Sequence, residues 1–206
     1  MGSGWGWGKV VGMTAQAQPI PDAAEVVLET IRNRRSIEQI YYLPDPVPRP
    51  YLERMLEAAN WAPTHGQTEP WRFTVFAGEA RGELGQTFAE SYRLGTFEAA
   101  KYQQQRNRVW KVPVWISLGM LVGTNPKIPE WEEVAAVQNM QLVARSLGLG
   151  TFWASGMPVR HENTLRFVGL QPPHQLIGFL MVGYPAIPWP EGKRGDWREK
   201  VQWRGL

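Results

Sequence analysis

The sequence predicts one domain of mixed helix and strand, and three observations carry that reading. Four runs rich in aromatic and β-branched residues, at 71–77, 112–122, 150–155 and 175–184, have strand character. Apolar patterns of helical period lie before and between them. No repeat or linker divides the 206 residues, a length that suits a single well-filled core.

Structure is expected to begin at Pro21-Asp22. Asp22 and Glu25 have the spacing of a capping box, and Val27 and Ile31 share a helical face. That helix ends in the basic cluster "RNRRS" at 32–36. "PDPVPRP" (44–50) is a rigid connector that places Pro50 in the first turn of a second helix. Here Leu52, Met55, Leu56 and Ala59 form one stripe, which stops before Pro63. "WRFTVFA" (71–77) reads as one strand, and residues 79–110 carry two weaker helical patterns around "LGT" (94–96). Residues 112–122 are apolar on both faces, which marks a central strand.

Pro129 opens the longest helix, which runs to Leu147 with Gly148 at its C-cap. Ala135, Val137, Met140, Leu142, Val143 and Ala144 surround so much of it that one small subunit is expected to leave part uncovered. "GTFWAS" (150–155) is a short strand, a helix near 160–168 ends at Gly169, and "QLIGFLMVGY" (175–184) is the last strand. From about 185 the chain is rich in Pro and Trp without periodic pattern, the composition of an arm packed on another surface. The domain is therefore 21–206, with 1–20 as a disordered leader or expression scar.

Composition narrows the chemistry. A net charge of +3 with dispersed basic residues does not suggest a nucleic-acid partner. Without cysteine there are no disulfides, thiolate metal sites or Cys nucleophiles, and His65, His161 and His174 lack metal-ligand spacing. No run of 18 apolar residues and no signal-peptide pattern is present, so the cytoplasm is the expected location, away from any membrane. The 11 tryptophans suit stacking surfaces and interfaces, or simply fill a core.

Three stretches are candidates for a site, each with a plainer reading beside it. Arg34, Arg35 and Ser36 offer guanidinium forks and a hydroxyl to a phosphate, or else complement the negative end of a helix dipole. "APTHGQTEPW" (62–71) is denser in hydrogen-bonding side chains than a connection needs. Its His65 and Gln67 can donate to the edge of a planar heterocycle, or cap the neighbouring elements. The glycines of "LGLGTFWASG" (147–156) allow close approach of something flat, or bend a strand and end a helix.

The order "RRS", "PVPRPYLERMLEAANWAPTHGQTEPWRFTVF", long helix, "LGLGTFWASG" and "IGFLMVGYP" resembles the nitroreductase family over about residues 25–190. The resemblance implies an α+β fold with a central, mostly antiparallel sheet flanked by helices in an intertwined homodimer. It also implies FMN as cofactor at the dimer interface, with NAD(P)H and a small-molecule electron acceptor as partners. By matching positions, Arg34, Arg35 and Ser36 hold the phosphate and ribityl chain, with Arg194 from the C-terminal segment. His65 and Gln67, with Trp153, Ala154 and Ser155, lie beside the flavin. The stretch Ala144 to Gly148 lies near the nicotinamide. Implied is ping-pong reduction of nitroaromatics, quinones or similar flat acceptors, with no catalytic side chain and no metal.

Two departures qualify the resemblance. Gln67-Thr68-Glu69-Pro70-Trp71 stands where the family commonly has Asn-x-Gln-Pro-Trp, and Glu38 stands where a basic residue often follows. Loss of a cation near the flavin lowers the expected potential. These features keep two alternatives open: a flavin-binding carrier or sensor without turnover, and a specialised reductase or dehalogenase on the same scaffold.

Overall fold

The computed structural model describes residues 22–96, 101–123 and 127–205. The expected leader at 1–20 lies outside the described residues. Helix α1 (Ala23–Asn33) follows Asp22, which has φ 59° and makes no side-chain cap, so the expected capping box does not form. A left-handed Asp22 turns its carboxyl away from the N-terminal amides that it was expected to accept from. Helix α2 (Arg49–Asn60) carries Pro50 in its first turn and buries Leu52, Met55 and Ala59, the stripe read from the sequence.

The stretch 71–77 forms two strands rather than one, β1 (Trp71–Arg72) and β2 (Val75–Ala77). Both pair with the same neighbour, and a side chain fills the gap between them. Thr74 N–H donates to Ser117 Oγ at 2.8 Å, while Ser117 N–H donates to the Thr74 carbonyl at 2.9 Å. Helices α3 (Ala80–Thr96) and α4 (Tyr102–Asn107) follow, then β3 (Val114–Met120), buried at every residue. Helix α5 (Lys127–Ser146) starts two residues before Pro129 and is the longest. Gly148, at φ 75°, ends it, and Leu149 N–H closes back on the Ala144 carbonyl at 2.8 Å. Then come β4 (Gly150–Ala154), α6 (Glu162–Phe167) and β5 (Gln175–Gly183).

The sheet order is β1-β3-β5-β4 with β2 also on β3, and every pairing is antiparallel. Alternation sorts the two central strands onto two cores. Val114, Ile116, Leu118, Leu180 and Val182 face α2 and α5, joining Met55, Ala59, Val137 and Met140. Trp115, Phe179 and Met181 face the opposite side, with Leu84 and Phe88 of α3. There Phe88 meets Phe179 edge-on at 5.2 Å, and Trp115 donates its indole N–H to the Val109 carbonyl at 3.1 Å. The fold is α+β, as expected. Among the described residues no helix is long and apolar enough to cross a membrane.

The apolar surface left uncovered falls mainly on α1. No residue of α1 is buried, and Val26, Val27, Leu28 and Ile31 are exposed. Along α5, by contrast, Ala136, Val137, Met140 and Ala144 are fully buried and Val134 alone among its described large hydrophobics is exposed. The tail divides into two parts. Its first part, 189–194, lies on its own subunit, at the end of α1, while Trp197 and Trp203 further along are exposed.

Candidate active site

One strand and one helix organise the candidate residues. A parallel bridge joins Ser36 to Thr151, and Ile37 N–H donates to the Thr151 carbonyl at 2.9 Å. This ties the basic segment to the start of β4. Trp153, Ala154 and Ser155 lie toward its other end, from about 7 Å (Trp153) to about 13 Å (Ser155) from Thr151 at the rise of a strand. On α5, Glu130, Val134 and Gln138 are spaced four apart and so share a helical face. Glu130 and Val134 line a cavity of about 470 Å³ with Trp153 and Ser155. Gln138 lines a second cavity, of about 480 Å³, with Arg34, Arg35 and Arg194. Gln141, three residues beyond Gln138, donates to Thr151 Oγ1 at 3.4 Å and ties α5 to the start of β4. The two cavities thus open along one face of α5, and we read them as the two ends of one trough.

The basic end gathers Arg32, Arg34, Arg35 and Arg194 with no carboxylate among the lining residues. Burial, followed by the charges of Arg194 and Arg35, lowers the Arg34 pKa below the ordinary arginine value. Among the described residues its guanidinium has no hydrogen-bond partner. An uncompensated cluster of this kind is complementary to a phosphate. Arg35 behaves differently. Its Nε donates to the Pro190 carbonyl at 2.9 Å, and Nη1 donates to the carbonyls of Arg32 and Arg34. Ser36 is exposed beside them.

At the far end the Trp153 indole lies over β5, where Gly178 leaves it room. A Cβ at Gly178 would collide with Trp153 Nε1, which donates to the Ile177 carbonyl at 3.3 Å. Ala154 is buried and Ser155 is exposed. Arg160, His174 and Gln175 complete the lining, and His174 is oriented by Nδ1, which accepts from Val122 N–H at 3.2 Å.

The loop carrying His65 and Gln67 stands apart from this trough. Glu132, buried in α5, accepts from His65 N–H and from Thr68 Oγ1, the latter at 3.2 Å. Glu69 N–H donates to Thr64 Oγ1 at 3.1 Å. Gln67 (φ 57°) and Glu69 (φ 42°) hold left-handed backbone that these bonds compensate. Much of the polar density of the loop is therefore self-bracing, while the His65 and Gln67 side chains are exposed. Glu132 lies two residues from Glu130, roughly 200° around the helix, so the loop is on another face from its own trough. Glu38 and Glu69 are exposed and line neither cavity.

Sequence reasoning missed Glu132, its neighbour Glu133 and Gln138. Glu133 is fully buried, neither carboxyl oxygen has a partner among the described residues, and burial pushes its pKa up to about 8. The signal was two consecutive glutamates directly before the apolar run Val134 to Val137. Of the stretch Ala144 to Gly148, Ala144 is buried, whereas Arg145 and Ser146 border a small surface cavity.

The chain is similar to known proteins in sequence and in fold. YfhC of Bacillus subtilis (strain 168), provisionally named an NAD(P)H nitroreductase, is 31% identical over 78% of this chain and 84% of its own. The nitroreductase-like family protein of Bacillus cereus superposes with a TM-score of 0.77 at 27% identity, covering 87% of this chain and 96% of that one. A Desulfovibrio desulfuricans protein, provisionally described as a nitroreductase and crystallised in complex with FMN, gives 0.67 at 26% identity, covering 87% and 97%. Residues 31–184, from the end of α1 through the last strand, match the model of the Nitroreductase family, and with the trough they define, the chain belongs to that family.

Proposed function

We propose that the chain is a cytoplasmic, homodimeric FMN oxidoreductase that takes hydride from NAD(P)H and reduces flat, electron-poor acceptors such as nitroaromatics or quinones. The observation that carries this reading is the trough: a basic cavity at one end, an indole-walled cavity at the other, and about 12 Å of α5 between Glu130 in the latter and Gln138 in the former. Its donor set fits FMN. Arg34 and Arg194 would hold the phosphate, with Ser36 and Gln138 beside the ribityl chain and Trp153, Ala154 and Ser155 along the ring. When bound, FMN supplies the hydride transfer, first from NAD(P)H and then to the acceptor in ping-pong order.

The protein's share is placement and exclusion of water. Trp153 and Ile177 give one apolar wall, and Val134 gives the facing one. His65 and Gln67 face away from the trough of their own subunit, so in this reading they reach the ring of a second copy. The exposed apolar residues of α1, with Trp197 and Trp203, supply surface for that pairing, and an intertwined dimer buries upwards of roughly 2,000 Å².

The test is direct. Anaerobic NAD(P)H should bleach the yellow holoprotein, and a quinone should restore the colour. Bleaching without recovery on any acceptor would leave a flavin carrier instead. Light scattering should give a dimer, and a monomer holding stoichiometric FMN would overturn the shared-site reading.

A further inference from the structure

Between β5 and the 3-10 turn at 198–200 the tail has only the isolated Tyr42–Pro185 bridge, beside which Ala186 N–H donates to the Tyr41 carbonyl at 2.8 Å, so beyond Ala186 no ladder of backbone bonds fixes Arg194. Ordering such a segment costs conformational entropy, and something must offset it. The contacts that do so are concentrated at 189–192. The Trp189 indole N–H donates to the carbonyl of Asn33, the last residue of α1, whose C-terminal carbonyls lack helical partners. Arg145 of α5 covers the Trp189 ring at 4.1 Å, and among the described residues its buried Nε has no hydrogen-bond partner, so that N–H is not spent on an acceptor. Arg35 Nε donates to the Pro190 carbonyl, and a Cβ at Gly192 would collide with the Arg35 guanidinium. Two residues further, Arg194 lines the basic cavity with Arg34.

We propose that Trp189 and Arg35 form a clamp that fixes the tail on the end of α1 and thereby sets Arg194 at the phosphate end of the trough. Both are positioning residues. Three N–H bonds of Arg35 end on backbone carbonyls and its outer face lies under Gly192, so Arg35 serves the tail and Arg34 the anion. The clamp makes the cavity selective for a flavin that ends in a phosphate. This rests on the reading of Arg34 and Arg194 as phosphate ligands.

The experiment uses the full chain and two ligands. Trp189→Ala should weaken FMN at least about tenfold, the size expected when one charge-assisted contact is lost, and leave riboflavin within about twofold. Trp189→Ala combined with Arg194→Ala should bind FMN no worse than Arg194→Ala alone, because both remove the same contact. Losses that multiply, or FMN binding unchanged in Trp189→Ala, would overturn the link between clamp and site. Trypsin cleavage after Lys193 in the flavin-free chain tests the clamp separately. It should be faster in Trp189→Ala and, by a smaller factor, in Trp189→Phe, which keeps the ring but not the N–H. Unchanged cleavage would overturn the clamp. Equal weakening of FMN and riboflavin by Arg34→Ala would instead overturn the phosphate reading, even with the tail released.

Discussion

Two faces of α5 do opposite work. The face with Glu130, Val134 and Gln138 is open and borders the trough of its own subunit. The face with Glu132 and Glu133 is buried, and through Glu132 it braces the loop that carries His65 and Gln67 away from that trough. On the proposed reading, the difference teaches how one subunit supplies two half-sites. A helix turns about 100° per residue, so two positions of sequence separate a cofactor wall from a loop anchor.

The largest expected effect is on the buried face. Between pH 4.5 and about 8 the folded chain keeps a proton on Glu133 that the unfolded chain has released. Stability therefore falls as pH rises through that window, by up to roughly 5 kcal/mol for this group. Glu133→Gln should remove that fall and raise the melting temperature at pH 8 far more than at pH 4.5. Equal gains at both values would show that ionisation is not what Glu133 contributes.

Next is Glu132. Glu132→Ala should cost about 1–3 kcal/mol, because it strands His65 N–H and the Thr68 hydroxyl. On the proposed reading it should also perturb the flavin spectrum while leaving FMN/riboflavin discrimination intact. A change in that discrimination would join the two faces that are separated here.

In the basic cavity that the open face borders, Arg34→Ala should lose roughly 1.5–3 kcal/mol of FMN affinity. Riboflavin, which lacks the phosphate, should bind nearly as before, as measured by quenching of flavin fluorescence. The smallest stability effect is expected at His65, whose backbone, not its side chain, meets Glu132. His65→Ala should keep the melting temperature within about 0.5 kcal/mol of equivalent stability. It should shift the spectrum or potential of the bound flavin, and a drop in stability with an unchanged spectrum would make the side chain structural.

Much of this was legible before any fold was known. The Leu52, Met55 and Ala59 stripe, the central place of 114–120 and the glycine that ends α5 follow from local rules of period and backbone freedom. So did the basic segment, because a cluster of guanidiniums is a composition signal. Three features escaped. The break in 71–77 depends on Ser117, a residue more than forty positions away. The role of Arg35 depends on Pro190 and Gly192, and the brace of the His65 loop depends on Glu132.

By itself, then, the sequence determined the elements, their order, the family and the residue types available to a phosphate and a ring. Those are properties of neighbouring residues and of spacing along the chain. Only the tertiary structure decided which arginine is free and which is spent, which face of α5 opens on the trough, and that the tail returns to its own subunit at Trp189. The reason is physical. A hydrogen-bond donor or a buried carboxyl takes its role from whatever partner the fold brings within about 3 Å, and that partner can come from anywhere in the chain.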